Sequence, residues 1–231
     1  MALDFSRYDQ RNYPTVDVRE GYRRWSATYD QRMTEDLDIW LLGRLSTVSW
    51  AVDRAVDLAC GTGRIGAWLA ARGARRIDGV DLSPEMLERA RTRAVYADLH
   101  CADIRQTPLP DGVAALVVNV LSIEHLPALA PFYGEVARLC RPGAAAVVVG
   151  YHPHFLLNGI PTHFPDGEGQ VAIENTIHLF ADHVREARAV GFVLRELEER
   201  VIDDQMLERV PSYGRHAGRP ASFALVWGAG G

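Results

Sequence analysis

The chain has 231 residues, 48% of them hydrophobic and 24% charged, a balance that fits one α/β domain with a sizeable core and excludes disorder as its main state. A formal charge of -5 and a pI near 5.9 exclude a surface built to neutralise many phosphates, so no nucleic-acid partner is expected. Three well-separated cysteines without a Cys-x-x-Cys pair exclude a disulfide framework and a cysteine zinc site.

No run approaches the ~18 apolar residues of a membrane span, and the first ten residues lack a signal-like apolar core. A cytoplasmic location in a reducing compartment is therefore expected. Residues 15–50 show Tyr22, Trp25, Tyr29, Leu37, Trp40, Leu41 and Leu45 near a 3.6-residue period, which predicts an N-terminal helical cap spanning 1–50. Arginines over 19–24 and 89–93 are interleaved with helix formers and are read as solvated helix faces.

Strand and helix signals then alternate: a strand at 55–59, a helix at 64–72 and a strand at 77–82. Ser83 and Pro84 read as N-cap and first position of a helix to about residue 93, with Glu85 favourably placed in its first turn. Strands follow at 95–101 and 114–121, the second a continuous apolar run of the kind buried on both faces of a parallel sheet. A helix over 129–139 stops at Arg141-Pro142-Gly143, and residues 144–150 form a fifth strand.

Regularity lapses over 151–179, where prolines, glycines and histidines mark an inserted loop lid carrying specificity. A helix at 180–190 and two β-rich segments, 193–202 and 221–227, complete the chain. The expected fold is a single α/β domain over 1–231, with a doubly wound, mostly parallel seven-stranded sheet and helices on both faces.

Gly61, Gly63 and Gly66 turn the first strand into the first helix; without side chains they let the backbone approach a nucleotide-like ligand beside a helix N-terminus. They also satisfy G-x-G-x-x-G, the dinucleotide pattern, so the motif by itself fits two cofactor classes. Asp81, closing the second strand, is placed to accept from both hydroxyls of a ribose in either class. Asp57 lies inside the first strand, where a carboxylate is costly without a partner, and a sulfonium ligand with an amino group would supply one.

The stretches Val56-Asp57-Leu58-Ala59-Cys60-Gly61-Thr62-Gly63 and Val80-Asp81-Leu82-Ser83-Pro84-Glu85-Met86 resemble the first two motifs of class I, Rossmann-like, S-adenosylmethionine-dependent methyltransferases. Tyr22 through Asp30 resembles the helix that closes over the methionine end in the quinone and small-molecule subgroup. The resemblance implies S-adenosyl-L-methionine as cofactor, held by Tyr22, Tyr29, Asp57, Ala59, Gly61, Gly63, Asp81, Leu82 and Met86. It further implies Asp103 at the adenine amino group, Ala102 and Ile104 flanking the ring, and Asn119 at the methionine end, followed by Glu124-His125-Leu126.

The implied reaction is in-line methyl transfer to O, N or C of a small molecule, aromatic or quinone-like, by a monomer or homodimer. A histidine base suits such chemistry near neutral pH, and His125, His154 and His178 are the catalytic candidates. His152, His154, His163 and Glu174 match no metal motif, so no metal is expected. Trp25, Tyr29, Tyr151, Phe155 and Phe164 read either as an aromatic wall for the acceptor or as core. Two other readings stay open: a protein that binds S-adenosylmethionine without methylating, and an NAD-dependent oxidoreductase, which Asp57 opposes.

Overall fold

A computed structural model of the chain describes residues 2–32 and 37–229. Of the helical reading over 15–50, residues 33–36 lie outside the described residues, as do 1, 230 and 231 of the expected domain. The chain opens with two short strands, β1 (Leu3–Asp4) and β2 (Thr15–Val16), and three short helices, α1 (Val18–Trp25), α2 (Tyr29–Arg32) and α3 (Ile39–Arg44). The Asp17 carboxylate caps α1 by accepting from the Glu20 amide at 3.0 Å. The cap thus breaks into separate pieces, and residues 15–16 are strand rather than helix.

Alternation then follows as expected: β3 (Ala55–Leu58), α4 (Arg64–Ala71), β4 (Ile77–Asp81), α5 (Pro84–Thr92), β5 (Asp98–Cys101), β6 (Ala114–Val120), α6 (Ala130–Leu139) and β7 (Cys140–Tyr151). Ser83 is the N-cap of α5, its hydroxyl accepting from the Met86 amide at 3.2 Å. The Arg141-Pro142-Gly143 stretch lies just beyond α6, yet β7 already begins at Cys140, which pairs with Ala114.

The stretch expected to be an irregular lid is ordered by pairing. It holds α7 (Pro153–Leu157), β8 (His163–Asp166), β9 (Gly169–Ile173) and β10 (Thr176–Ile177). β8 and β9 form a hairpin, β9 takes β2 in parallel, and β10 takes β1 antiparallel. Its backbone hydrogen bonds go to N-terminal segments 157 to 174 residues away, and strands of two residues show no period in sequence. The chain ends with α8 (Phe180–Ala189), β11 (Phe192–Val201), α9 (Asp204–Arg209) and β12 (Pro220–Ala229).

The main sheet has the order β11-β12-β7-β6-β3-β4-β5. The five strands from β7 to β5 are parallel, and β12 runs antiparallel to both of its neighbours. Leu41 and Leu42 of α3 and Leu69 of α4 pack on one face with Leu116 and Val118. Phe132 and Val136 of α6 pack on the other with Val56, Leu58 and Trp227. Each such side chain contributes about 1.5–3 kcal/mol on burial. Strand order reverses between β3 and β6, which opens a crevice at their carboxyl ends, the place where open α/β sheets bind ligands.

Candidate active site

The turn after β3 shapes this crevice. Ala59, Gly61 and Gly63 all take left-handed backbone angles, φ 58°, 53° and 83°, which draws the chain back over the sheet edge. A β-carbon on Gly61 would meet nothing within 4 Å, so open space lies where a side chain would stand. Gly66 is small for another reason: Tyr96 lies where its β-carbon would go.

Asp81 organises the second corner. One carboxylate oxygen accepts from the Gly61 amide at 2.8 Å, the other from the Ser83 amide at 2.8 Å, so it ties the β3 and β4 turns together. Burial pushes its carboxyl above the usual range against these bonds. Each oxygen keeps a further lone pair for a ligand hydroxyl.

Around this corner runs a cleft enclosing about 860 Å³, partly open to solvent. Of the residues expected at the cofactor, Tyr22, Tyr29, Ala59, Gly61, Asp81 and Leu82 line it, as do Met86, Asp103 and Ile104. His125 lines it as well. Ser122, which the resemblance put at the methionine end with Asn119, reaches it too, as do Arg19 and Arg105; sequence reading passed the two arginines over because they look like ordinary surface charges. Asp103 is held by Arg105 through bonds of 2.6–3.1 Å, which keep its carboxyl below the usual range.

Other expected residues stand outside the lining. Asp57 accepts a 2.7 Å hydrogen bond from the Tyr96 hydroxyl, and burial pushes its carboxyl up to about 7. The partner that its burial demands is thus a tyrosine of the chain, and Asp57 does not separate the cofactor classes. Gly63 and Ala102 are also not among the lining residues. Asn119 donates to the Leu58 carbonyl at 2.9 Å and the Ser122 hydroxyl at 2.6 Å, positioning the turn after β6; its side-chain oxygen is buried without a partner among the described residues.

The histidines divide sharply. His125 Nδ1 donates to the Glu174 carbonyl at 2.7 Å, which leaves Nε2 to accept from the Tyr22 hydroxyl at 2.9 Å. Burial pushes His125 down to about 4, so it is neutral near pH 7. His154 is exposed beside Asn158, and His178 is buried against the Leu126 carbonyl at 2.7 Å; neither lines the cleft. His152 bonds Glu199 at 2.7 Å and His163 the Pro161 carbonyl at 2.8 Å, so the mooted metal set is dispersed. Among the described residues, no three His, Cys, Asp or Glu side chains cluster as metal ligands.

Beneath the tyrosines lies a residue that sequence reading named only as part of a motif. Glu124 is 2% exposed, with both carboxylate oxygens lacking a hydrogen-bond partner among the described residues. Burial pushes its carboxyl up to about 7, and it faces Tyr22, Tyr29 and Tyr151. The available signal was an acidic residue within the otherwise buried segment after β6.

A cleft at the switch point, a glycine turn open to a ligand, and an acid closing the second strand suit an adenosine with a charged amino-acid tail. Leu82, Met86 and Ile104 offer apolar surface for a flat base, so the residues present fit S-adenosylmethionine. The fold is the Rossmann-like fold of class I methyltransferases, and the residues of the cleft suit S-adenosylmethionine as cofactor. Residues 55–143 match the family described as methyltransferase domain.

Among relatives, the malonyl-[acyl-carrier protein] O-methyltransferase of Serratia marcescens is 31% identical over 128 residues, covering 54% of this chain and 49% of that protein. The chloroplastic tocopherol O-methyltransferase of Arabidopsis thaliana is 32% identical over 104 residues, covering 42% of this chain and 30% of that protein. The match thus spans about half or less of these curated relatives. An S-adenosylmethionine-dependent methyltransferase from Mesorhizobium loti shares the fold with a TM-score of 0.67 at 22% identity, over 84% of this chain and 97% of that one. No helix among the described residues is long and apolar enough to cross a membrane.

Proposed function

We propose that this chain transfers a methyl group from S-adenosylmethionine to a nucleophilic atom, oxygen first among O, N and C, of a small molecule in the cytoplasm. The observation that carries the proposal is one cleft with Asp81 at one end and the Tyr22–His125 pair in its wall. The two curated relatives are O-methyltransferases by name, which supports oxygen as the acceptor.

When bound, the cofactor supplies an activated methyl: the acceptor's lone pair bonds the methyl carbon while the carbon–sulfur pair returns to sulfur. Positioning therefore does most of the work. Asp81 would hold the ribose hydroxyls, Met86 and Ile104 the adenine, and Tyr22 and Tyr29 would close the methionine end against water. The acceptor's proton would leave toward Tyr22, whose hydroxyl already donates to His125 Nε2. A histidine near 4 is a weak base, adequate where the acceptor grows acidic as its bond to carbon forms.

Titration calorimetry with S-adenosylmethionine, S-adenosylhomocysteine and NADH tests the cofactor. Micromolar binding of the first two alone is expected, with at least a tenfold loss in Asp81→Ala; NADH binding instead would replace the proposal with an oxidoreductase. Methyl-labelled donor offered to a panel of phenols and carboxylic acids tests transfer. Tight donor binding with no label moved to any acceptor would favour the non-methylating reading.

A further inference from the structure

A second cavity, enclosing about 1170 Å³ and partly open to solvent, lies on the other side of the N-terminal aromatics. Trp25, which lines it, packs against the Tyr29 ring at 4.9 Å and the Tyr22 ring at 6.0 Å, the two tyrosines of the cofactor cleft. Its remaining wall is aromatic where Tyr151, Phe155 and Tyr213 stand. Among the described residues that line it there is no aspartate or glutamate, whereas the cofactor cleft has two.

Its polar end is electropositive. Arg215 Nε donates to His216 Nε2 at 3.1 Å, so in neutral His216 the proton sits on Nδ1. That Nδ1–H is buried and has no acceptor among the described residues, while His216 as a whole is 9% exposed. Nδ1 is thus closed to solvent, and the group at this end that a ligand can reach is the exposed Arg215 guanidinium. Burial, then the charges of Arg215, Arg219 and Arg11, hold His216 below the usual histidine range. None of these three arginines forms an ion pair among the described residues.

We propose that this second cavity is the acceptor site and selects acceptors bearing a carboxylate, which Arg215 holds while the aromatic wall packs the apolar body. A cation is repelled by the arginines, and a neutral acceptor leaves them without a partner. The carboxylate anchors the far end, and the atom to be methylated lies on the part of the molecule that reaches past Trp25. The proposal rests on the methyltransferase reading of the neighbouring cleft.

The test uses the full chain and three aryl carboxylates, benzoate, cinnamate and indole-3-acetate, each against its primary amide, with binding measured by calorimetry. At least one acid is expected to bind tenfold or more tightly than its amide, and Arg215→Ala to erase that preference. Arg215 is exposed, so its removal leaves the fold intact, and unchanged S-adenosylmethionine affinity in the variant checks this. Equal affinity for every acid and amide, absence of binding included, overturns the proposal, as does a preference that survives Arg215→Ala. Loss of the methyltransferase reading would appear separately, as failure of S-adenosylmethionine to bind the unaltered chain.

Discussion

Asp57, Glu124 and His125 are buried ionisable groups that differ in what compensates them. Asp57 has Tyr96, His125 has a carbonyl and a tyrosine, and Glu124 has no hydrogen bond to either oxygen among the described residues. Glu124 therefore stays protonated in the fold up to about 7, while the unfolded side chain ionises near 4.5. Its folded pKa is raised, so the stability it contributes is full below about 4.5 and is lost as pH rises through about 7. The difference amounts to about 3 kcal/mol. Glu124→Gln should then melt higher than the parent at pH 8, with the gap closing toward pH 5; thermal denaturation at the two values measures it. His125 works in the opposite sense, its stability contribution falling away as pH drops from 6.5 toward about 4. A gap that does not change with pH would show Glu124 to be ionised throughout.

Among elements, the placing of α1 decides whether the cleft has a wall. Gly21 faces β9, and a β-carbon there would stand 2.6 Å from Ile173 Cγ1. Alanine in a helix interior is favoured over glycine by about 1 kcal/mol, whereas overpacking a buried contact costs about 1–3 kcal/mol. The second effect wins because Ile173 is itself buried and branched. Gly21→Ala should lower the melting temperature and, by lifting α1, lengthen the Tyr22–His125 bond and weaken S-adenosylmethionine binding several-fold. Calorimetry and a thermal melt read the two consequences separately. A variant as stable and as tight as the parent would show that the contact relaxes without moving the helix.

For the molecule as a whole, a cofactor that binds only the folded state adds stability by mass action. S-adenosylmethionine at a hundred times its dissociation constant should contribute about 2.7 kcal/mol. At about 2–4 °C per kcal/mol for a chain of this size, that is a rise of roughly 5–10 °C. NADH at the same concentration should produce none. Asp81→Ala should flatten the response to S-adenosylmethionine, which ties the global effect to the corner where two turns meet.

Much of this molecule was legible along the chain. Apolar runs such as Ala114–Val120 announce strands buried on both faces, Ser83-Pro84 announces a helix start, and the glycines after β3 announce a tight turn. These are local effects, set by burial pattern and backbone freedom within a few residues, and they sufficed for the sheet and for most of the cofactor cleft. Tertiary structure alone decided what depends on distant partners. It gave Asp57 to Tyr96, paired the insertion with β1 and β2, and set His125, rather than His154 or His178, in the cleft wall by bringing Tyr22 across 103 residues to its ring. It also left His216 Nδ1 without an acceptor among the described residues, because whether a buried polar atom is satisfied depends on every segment packed around it.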